Sequence, residues 1–267
     1  MEQARRHAYL RAMGVTPWVR RRDEPLGLVT DLAPSPVPGP CVVSPGEVAA
    51  ASPGSPYPAP PPHAAPTQVG SLELDLAPER GVPSLDWEAL GSAVAACRAC
   101  GLCETRTQTV FGVGNRNAEL LVIGEAPGAD EDREGEPFVG RAGQLLNRML
   151  AAIGLPRQQV YIANILKCRP PGNRDPRPEE VLSCQAFLTR QIELLSPRII
   201  LAVGRISAQT LLGTDLPLGR LRGRWLELGP WAIPLRVTYH PAYLLRSPDQ
   251  KAKAWEDLTA VARRLGS

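Results

Sequence analysis

The stretch LLVIGEAPG, residues 120–128, predicts a short buried strand that runs into a tight loop of small residues. Three further runs are likewise short, mostly aliphatic and flanked by turn residues, as buried parallel strands are: residues 160–166, 199–203 and 235–239. Helical patterns lie before and between them and at the end of the chain, at residues 87–96, 141–153, 178–195, 206–212 and 249–265. The alternation predicts an α/β protein, a three-layer α/β/α sandwich around a mainly parallel central sheet.

The 29 prolines are unevenly distributed, because many of them fall in residues 34–83 together with Ala, Ser and Gly. Such a segment buries too little apolar surface to offset the entropy of ordering it, and is typical of a disordered, partly polyproline II linker. We therefore predict a short N-terminal peptide at residues 1–22, a disordered Pro-rich linker at 23–84 and one folded domain at 85–267.

The sequence predicts neither a membrane segment nor an export signal. No apolar run reaches bilayer-spanning length, and the N-terminus, MEQARRHAYLRAMG, lacks the apolar stretch of a secretory signal. We expect a cytoplasmic protein without a membrane partner. Because cytoplasmic thiols stay reduced, its cysteines are expected to bind metal or do chemistry rather than form disulfides.

Five of the six cysteines lie in the predicted domain, as the cluster Cys97-x-x-Cys100-x-x-Cys103 and as Cys168 and Cys184 further along. Four thiolates from three segments can close a tetrahedral zinc site or hold an iron–sulfur cluster. The alternative is a set of buried structural thiols, because cysteine is among the most buried residue types. The spacing favours a metal centre but does not separate zinc from iron–sulfur.

Two strand ends carry residues suited to catalysis. Glu125 follows the first predicted strand, and His240 follows the last. In open α/β sheets ligands bind at the carboxyl ends of the strands, so a carboxylate and an imidazole are expected at one site. Glu131 is a second candidate carboxylate, although the acidic run at residues 130–132 is also typical of a solvated turn.

Two further residues can recognise a nucleic-acid base. Phe138 is either a stacking platform or part of the core, and it precedes a helix start at residues 139–143 whose backbone N–H groups suit a phosphate. Asn164 ends the second predicted strand, and its side-chain amide offers one donor and one acceptor to a base edge.

Four motifs follow one another along the domain: EAPG at residues 125–128, PFVG at 137–140, KCRPP at 167–171 and HPAYLLR at 240–246. Together with Asn164 they resemble the type-4 uracil-DNA glycosylases, the iron–sulfur branch of the uracil-DNA glycosylase superfamily. The resemblance covers residues 95–265. It implies a [4Fe–4S] cluster held by Cys97, Cys100, Cys168 and Cys184, with Cys103 outside the set or competing with Cys100.

The resemblance also implies a function, the removal of uracil from DNA to leave an abasic site for base excision repair. Glu125 would orient the attacking water, and His240 would stabilise charge on the departing uracil, as an oxyanion donor does. Uracil would stack on Phe138 and pair with Asn164. The remaining implied contacts are to uracil from the backbone of Ala126, Pro127 and Gly128, to the vacated base stack from Leu244 and Leu245, and to phosphates from Arg141, Arg169, Arg174 and Arg246.

The chain departs from the best-known branch of the superfamily at one position of the first motif. That branch has an Asp where Ala126 stands, and alanine cannot activate water, so the task falls to Glu125. We expect a monomer acting on uracil-containing DNA. Two other classes fit less well: a non-catalytic iron–sulfur or zinc DNA-binding protein, and a redox protein that uses the cluster for electron transfer.

The sequence of the N-terminal peptide indicates that it binds a protein partner. Residues 5–18, RRHAYLRAMGVTPW, are similar to the start of the psi subunit of the bacterial clamp loader, which docks onto another subunit. We therefore predict that residues 1–22 bind a replication or repair protein, and that the protein associates with a bacterial-type nucleoid. The alternative is a helix that packs on its own domain or stays loose.

Overall fold

The computed structural model describes residues 82–266. The peptide predicted at residues 1–22 lies outside the described residues, as does the predicted linker apart from residues 82–84. The strands of the described part are β1 Val113–Gly114, β2 Leu120–Gly124, β3 Tyr161–Asn164, β4 Ile199–Val203, β5 Trp225–Leu228 and β6 Ile233–Thr238. They form one sheet in the order β1-β3-β2-β4-β6-β5.

The α-helices of the same part are α1 Trp87–Ala96, α2 Ala129–Glu134, α3 Arg141–Ala152, α4 Pro178–Leu195, α5 Arg205–Leu212, α6 Leu218–Leu221, α7 Pro241–Arg246 and α8 Lys251–Leu265. Local chemistry sets where the helices begin. The carboxylate of Asp86 accepts the N–H of Ala89 at 2.8 Å and so caps α1. Helix α4 begins with Pro178, a residue pre-shaped for the first helical position.

Alternate residues of the central strands face opposite layers of helices. Leu120 and Val122 pack in a core with α3 and α8, whereas Leu121 and Ile123 pack in a second core with α4. Strands β3, β2, β4 and β6 pair in parallel. Every residue of β2 and β4 is buried, as strands covered on both faces are. The predicted α/β/α sandwich with a mainly parallel sheet is confirmed.

Two edge strands, β1 and β5, and three short helices, α2, α6 and α7, do not figure in the sequence prediction. Strands β1 and β5 pair antiparallel with their neighbours, and both are too short or too exposed to give a clear pattern. The reading of residues 130–132 as a solvated turn is wrong, because they lie in α2. Within α2, Asp132 is buried and accepts the N–H of Thr107 at 3.0 and 3.1 Å. Thr107 lies 25 positions earlier, so no local pattern reveals it.

The carboxyl ends of the parallel strands lie at one edge of the sheet. From β2 the chain passes first to β3 on one side and later to β4 on the other, so the strand order reverses at β2. Open α/β sheets bind ligands at this kind of switch point. Residues Glu125, Asn164, Gly204 and His240 end or follow the four strands there. Among the helices of residues 82–266, none has the length and apolar character needed to cross a bilayer.

Candidate active site and cysteine cavity

Gly124, Phe138 and Asn164 form the centre of the candidate site. A Cβ added to Gly124 would lie 2.4 Å from Oδ1 of Asn164 and 2.7 Å from the Phe138 ring, so only glycine fits here. Asn164 is 2% exposed, and its Oδ1 has no hydrogen-bond partner within residues 82–266. Buried polar atoms are normally paired, so an unpaired carbonyl oxygen beside an aromatic ring points to a ligand that supplies the missing donor.

Phe138 is held in an unusual backbone conformation. Its φ of 55° lies in the left-handed region, which bulky residues rarely adopt. Arg157 donates to the carbonyl oxygens of Pro137, at 2.6 Å, and of Phe138, at 3.4 Å. Gly143, in the first turn of α3, packs so closely that an added Cβ would clash with the Phe138 carbonyl. These contacts fix the orientation of the ring, which is 6% exposed and packs in the same core as Leu120 and Val122, as the core alternative predicts.

Glu131 holds the other side of the same loop. One carboxylate oxygen accepts the N–H groups of Val139 and Gly140, at 3.0 and 3.2 Å, and the other accepts the N–H of Gly128 at 3.0 Å. Glu131 is the alternative catalytic carboxylate of the sequence analysis. In the structure, its carboxylate instead accepts hydrogen bonds from three backbone N–H groups. The N–H of Gly128 is thereby occupied, and Pro127 has none, which leaves the main chain at Glu125 and Ala126 as the source of N–H donors in this loop.

His240 faces the Phe138 ring. The two ring centroids lie 5.6 Å apart, with 30° between the planes. Nδ1 of His240 accepts the N–H of Ala242 at 3.1 Å, so in the neutral ring the proton is on Nε2. Burial, together with the charge of Arg246 and against an opposing effect of Glu131, lowers the pKa of His240 to about 4. At neutral pH the residue is therefore an uncharged donor through Nε2.

Glu125 is half-buried in the loop that follows Gly124. Burial, together with the negative charge of Asp175 and against an opposing effect of Arg205, raises the pKa of Glu125 to about 7. Asp175 and Arg205 form an ion pair of 2.6 Å between Oδ2 and Nη2. Sequence reasoning did not select either residue. The position of Arg205 at the start of α5, just after β4, was the available signal for it.

The segment after His240 corrects one expectation. Leu244 is 0% exposed and packs in the core beside α3 and α8, so its assignment as a residue that enters the DNA stack is wrong. Leu245 is 39% exposed and Tyr243 is similarly exposed. In a short helix such as α7, consecutive side chains point in different directions, and the sequence alone does not show which of them faces inward.

The four arginines selected for phosphate contacts differ in what they touch. Arg141, at the start of α3, and Arg246, at the end of α7, are exposed. Arg169 is partly exposed, and its Nε donates to Oδ1 of Asn173 at 2.7 Å. Arg174 makes a two-pronged ion pair with the buried carboxylate of Glu180, at 2.5 and 2.9 Å. This ion pair occupies the guanidinium N–H groups of Arg174 that a phosphate would need.

The five cysteines of the domain line one cavity on the α1 and α4 side of the sheet. Its empty space is about 290 Å³, part of it open to solvent, and the wall also includes Arg106, Lys167 and Phe187. All five thiols are free: Cys97, Cys100, Cys103, Cys168 and Cys184. In residues 82–266, no three His, Cys, Asp or Glu side chains are grouped to hold a single metal ion.

N–H donors point at two of these sulfur atoms. Nη1 of Arg106 donates to Sγ of Cys168 at 2.9 Å, and the backbone N–H of Lys167 donates to Sγ of Cys184 at 3.3 Å. Burial raises the pKa of Cys168, and raises that of Cys184 to about 12. Buried sulfur atoms that receive N–H donors suit thiolates whose charge a bound metal centre neutralises. The residues present therefore fit the implied cluster.

Comparison with known proteins agrees with this geometry. Residues 111–259 match the family model described as the uracil DNA glycosylase superfamily, and this chain belongs to that superfamily. Within it, the chain belongs to the type-4 branch. It is 46% identical to a type-4 uracil-DNA glycosylase of Archaeoglobus fulgidus over 179 residues, which are 65% of this chain and 90% of the relative.

Two further type-4 uracil-DNA glycosylases show the same degree of similarity. The relative from Saccharolobus solfataricus is 42% identical over 67% of this chain and 86% of its own length. The relative from Thermotoga maritima is 43% identical over 60% of this chain and 83% of its own length. Similarity at this level over most of the length of each relative extends well beyond the site motifs.

Proposed function

We propose that this protein is a uracil-DNA glycosylase, a hydrolase that cleaves the N-glycosidic bond of uracil in DNA and leaves an abasic site for repair. The carrying observation is the unpaired Oδ1 of buried Asn164, which lies beside Gly124, against the Phe138 ring. The names of the type-4 relatives agree with this activity.

The site suits one planar pyrimidine. The ring stacks on Phe138, and the Asn164 amide pairs with its edge: Oδ1 accepts the N3–H of uracil, and Nδ2 donates to O4. Cytosine has no N3–H and presents an amino group where uracil has O4, so both contacts fail with cytosine. Because Gly124 has no side chain, the Phe138 ring and the Asn164 amide can both lie against its backbone. The target nucleotide has to leave the duplex stack first, at a cost of a few kcal/mol.

Hydrolysis follows from the protonation states of two residues. As the bond between N1 of uracil and C1′ breaks, its electron pair stays on uracil, and neutral His240 donates from Nε2 to the developing charge on O2. The sugar takes on oxocarbenium character. Ionised Glu125 orients a water whose oxygen bonds to C1′, and the proton of that water passes to the carboxylate or to solvent. The uracil anion then takes a proton from solvent.

Exposed side chains around the pocket complete the DNA contacts. Leu245, which is exposed in the helix that follows His240, would fill the gap left by the flipped nucleotide. Arg141 and Arg246 present guanidinium groups that can bind phosphates on either side of it. Such contacts position the strand without reading its sequence, so the specificity comes from the base pocket.

The test is release of uracil from a labelled oligonucleotide, followed by alkali to cut abasic sites. We expect cleavage of the uracil strand, none of a matched thymine strand, and a steep loss with Asn164→Leu or His240→Ala. A non-catalytic DNA-binding protein is the competing function. Tight binding to the uracil oligonucleotide with no base release from the unaltered protein would establish that alternative.

We propose further that Cys97, Cys100, Cys168 and Cys184 hold a [4Fe–4S] cluster. A donor set of sulfur atoms alone, drawn from three segments around one cavity, supports a cluster, and so do the N–H donors at two of the sulfur atoms. Arg106 and Lys167 are the residues that supply those donors. The cluster would act as a cross-link between the 97–103 loop, the loop after β3, and α4.

Iron analysis and the visible spectrum test the cluster. We expect four iron atoms per chain, as a [4Fe–4S] cluster contains, and a broad visible absorbance band typical of iron–sulfur centres. Cys184→Ser is expected to lose both, whereas Cys103→Ser keeps both if Cys103 lies outside the ligand set. Zinc without colour, or loss of iron only in Cys103→Ser, contradicts this assignment.

A further inference from the structure

Lys167 places a cation in the interior between the base pocket and the cysteine cavity. The residue is 1% exposed. Its Nζ donates to the backbone carbonyl of Asn164 at 3.0 Å and to Oε1 of Gln191 at 2.6 Å. A buried ammonium is costly unless its hydrogen bonds are made, and an apolar side chain of similar length would fill the same space more cheaply. The presence of an ammonium here must therefore be explained by the hydrogen bonds that it makes to Asn164 and Gln191.

The segment that begins at Asn164 and ends at Cys168 is tied at each step to a different part of the site. The N–H of Ile165 donates to the carbonyl of Gly124, and the N–H of Leu166 donates to the carbonyl of Glu125, both at 3.0 Å. The next N–H, that of Lys167, donates to Sγ of Cys184. A shift of this segment therefore moves the base-reading amide and the loop of Glu125 together.

Helix α4 is the support against which Lys167 is fixed. It carries both Cys184 and Gln191, seven positions apart and so on one face of the helix. Cys184 holds the main chain of Lys167, and Gln191 holds the ammonium. Gln191 is itself fixed, because its Nε2 donates to the carbonyl of Phe111 at 2.9 Å. The side chain of Lys167 thus connects a rigid helix to the end of β3.

We propose that Lys167 is a positioning residue for uracil recognition, which fixes the Asn164 main chain against α4 so that the Asn164 amide faces the Phe138 ring in the correct register. This proposal rests on the proposed function. Lys167 has no contact with the substrate in this arrangement and acts only through Asn164. Small displacements of a recognition group are costly, since an error of about 1 Å can lower a rate about 100-fold.

The test compares Lys167→Met with the unaltered holoprotein. Methionine keeps much of the stem and removes all three donors. We expect kcat to fall about 100-fold and inhibition by free uracil to weaken, while affinity for abasic DNA and the iron content per chain stay unchanged. Leu195→Ala is the matched control: it truncates a buried residue at the far end of α4, where the helix leads to β4, and lowers stability without removing any of the hydrogen bonds that fix the segment.

Gln191→Leu keeps the test decisive if Lys167→Met does not fold. It removes one acceptor of the ammonium and leaves the hydrogen bond to Asn164. We therefore expect a smaller loss of kcat than in Lys167→Met, and inhibition by free uracil that is again weaker than in the unaltered protein. A purely structural role would give both variants the kinetics of Leu195→Ala at an equal loss of thermal stability, and that result overturns the proposal. Loss of iron in proportion to activity overturns it too. Failure of the unaltered protein to release uracil rejects the proposed function instead.

Discussion

The ring of Phe138 lies 5.6 Å from the ring of His240, at an angle of 30°. One ring comes from the loop between α2 and α3 and the other from the end of β6. A planar base stacked on Phe138 therefore has an edge within reach of the imidazole. Oδ1 of Asn164 and the Phe138 ring both lie within 2.7 Å of the position that a Cβ on Gly124 would take, so the groups proposed for pairing and stacking adjoin one another.

Substitution of His240 tests charge stabilisation. His240→Ala is expected to lower kcat by a factor of about 100 to 1,000, the usual effect of losing one oxyanion donor, with little change in the affinity for abasic DNA. Because the pKa of His240 is lowered to about 4, the ring is neutral at any higher pH. Its protonation therefore contributes no step to the pH profile between pH 5 and 8. A step there that disappears in His240→Gln contradicts the assignment.

The pH profile tests Glu125. Its pKa is raised to about 7, so the carboxylate that orients water is protonated below that pH and ionised above it. We expect kcat to rise with pH through about 7, and Glu125→Gln to be slow at every pH. Asp175→Asn removes a neighbouring negative charge and moves the rise to lower pH, whereas Arg205→Gln moves it to higher pH. Shifts in the same direction for both variants would contradict this account.

Gly124→Ala tests the shape of the base pocket. The added methyl group would lie 2.4 Å from Oδ1 of Asn164 and 2.7 Å from the Phe138 ring, so it would displace the two groups proposed to bind the base. We expect at least about a 100-fold loss of kcat/KM, because misplacement of about 1 Å has that effect. Gly219→Ala is the control, since its added Cβ meets nothing within 4 Å. Equal activity of the two variants would show that uracil binds elsewhere.

Two adjacent leucines separate stability from DNA distortion. Leu244 is buried, so Leu244→Ala is expected to lower the free energy of unfolding by about 2–5 kcal/mol. Leu245 is exposed, and Leu245→Ala is expected to leave thermal stability unchanged while slowing uracil release from duplex more than from single-stranded DNA. Thermal denaturation and paired assays on the two substrates measure both effects. An activity loss that is equal on the two substrates argues against a role for Leu245 in filling the stack.

Local patterns were sufficient for the central architecture. The parallel strands are continuous apolar runs because they are buried on both faces, so they are visible in the sequence without knowledge of their partners. The edge strands escape notice because β1 is two residues long and β5 is only half-buried. Helix α2 escapes notice because its buried Asp132 depends on the remote N–H of Thr107.

The sequence by itself determined the four parallel strands and the longer helices between them, the strand-end positions of Glu125, Asn164 and His240, and the set of cysteines, because these follow from period, spacing and residue type. Only the tertiary structure decided which of two adjacent leucines is buried, that Glu131 holds the loop of Phe138, and that Arg174 is paired with Glu180. It also placed Lys167 between two sites. Each of these depends on contacts between residues that are separated along the chain, or on the exact direction of a side chain. The spacing of residues in the sequence shows neither.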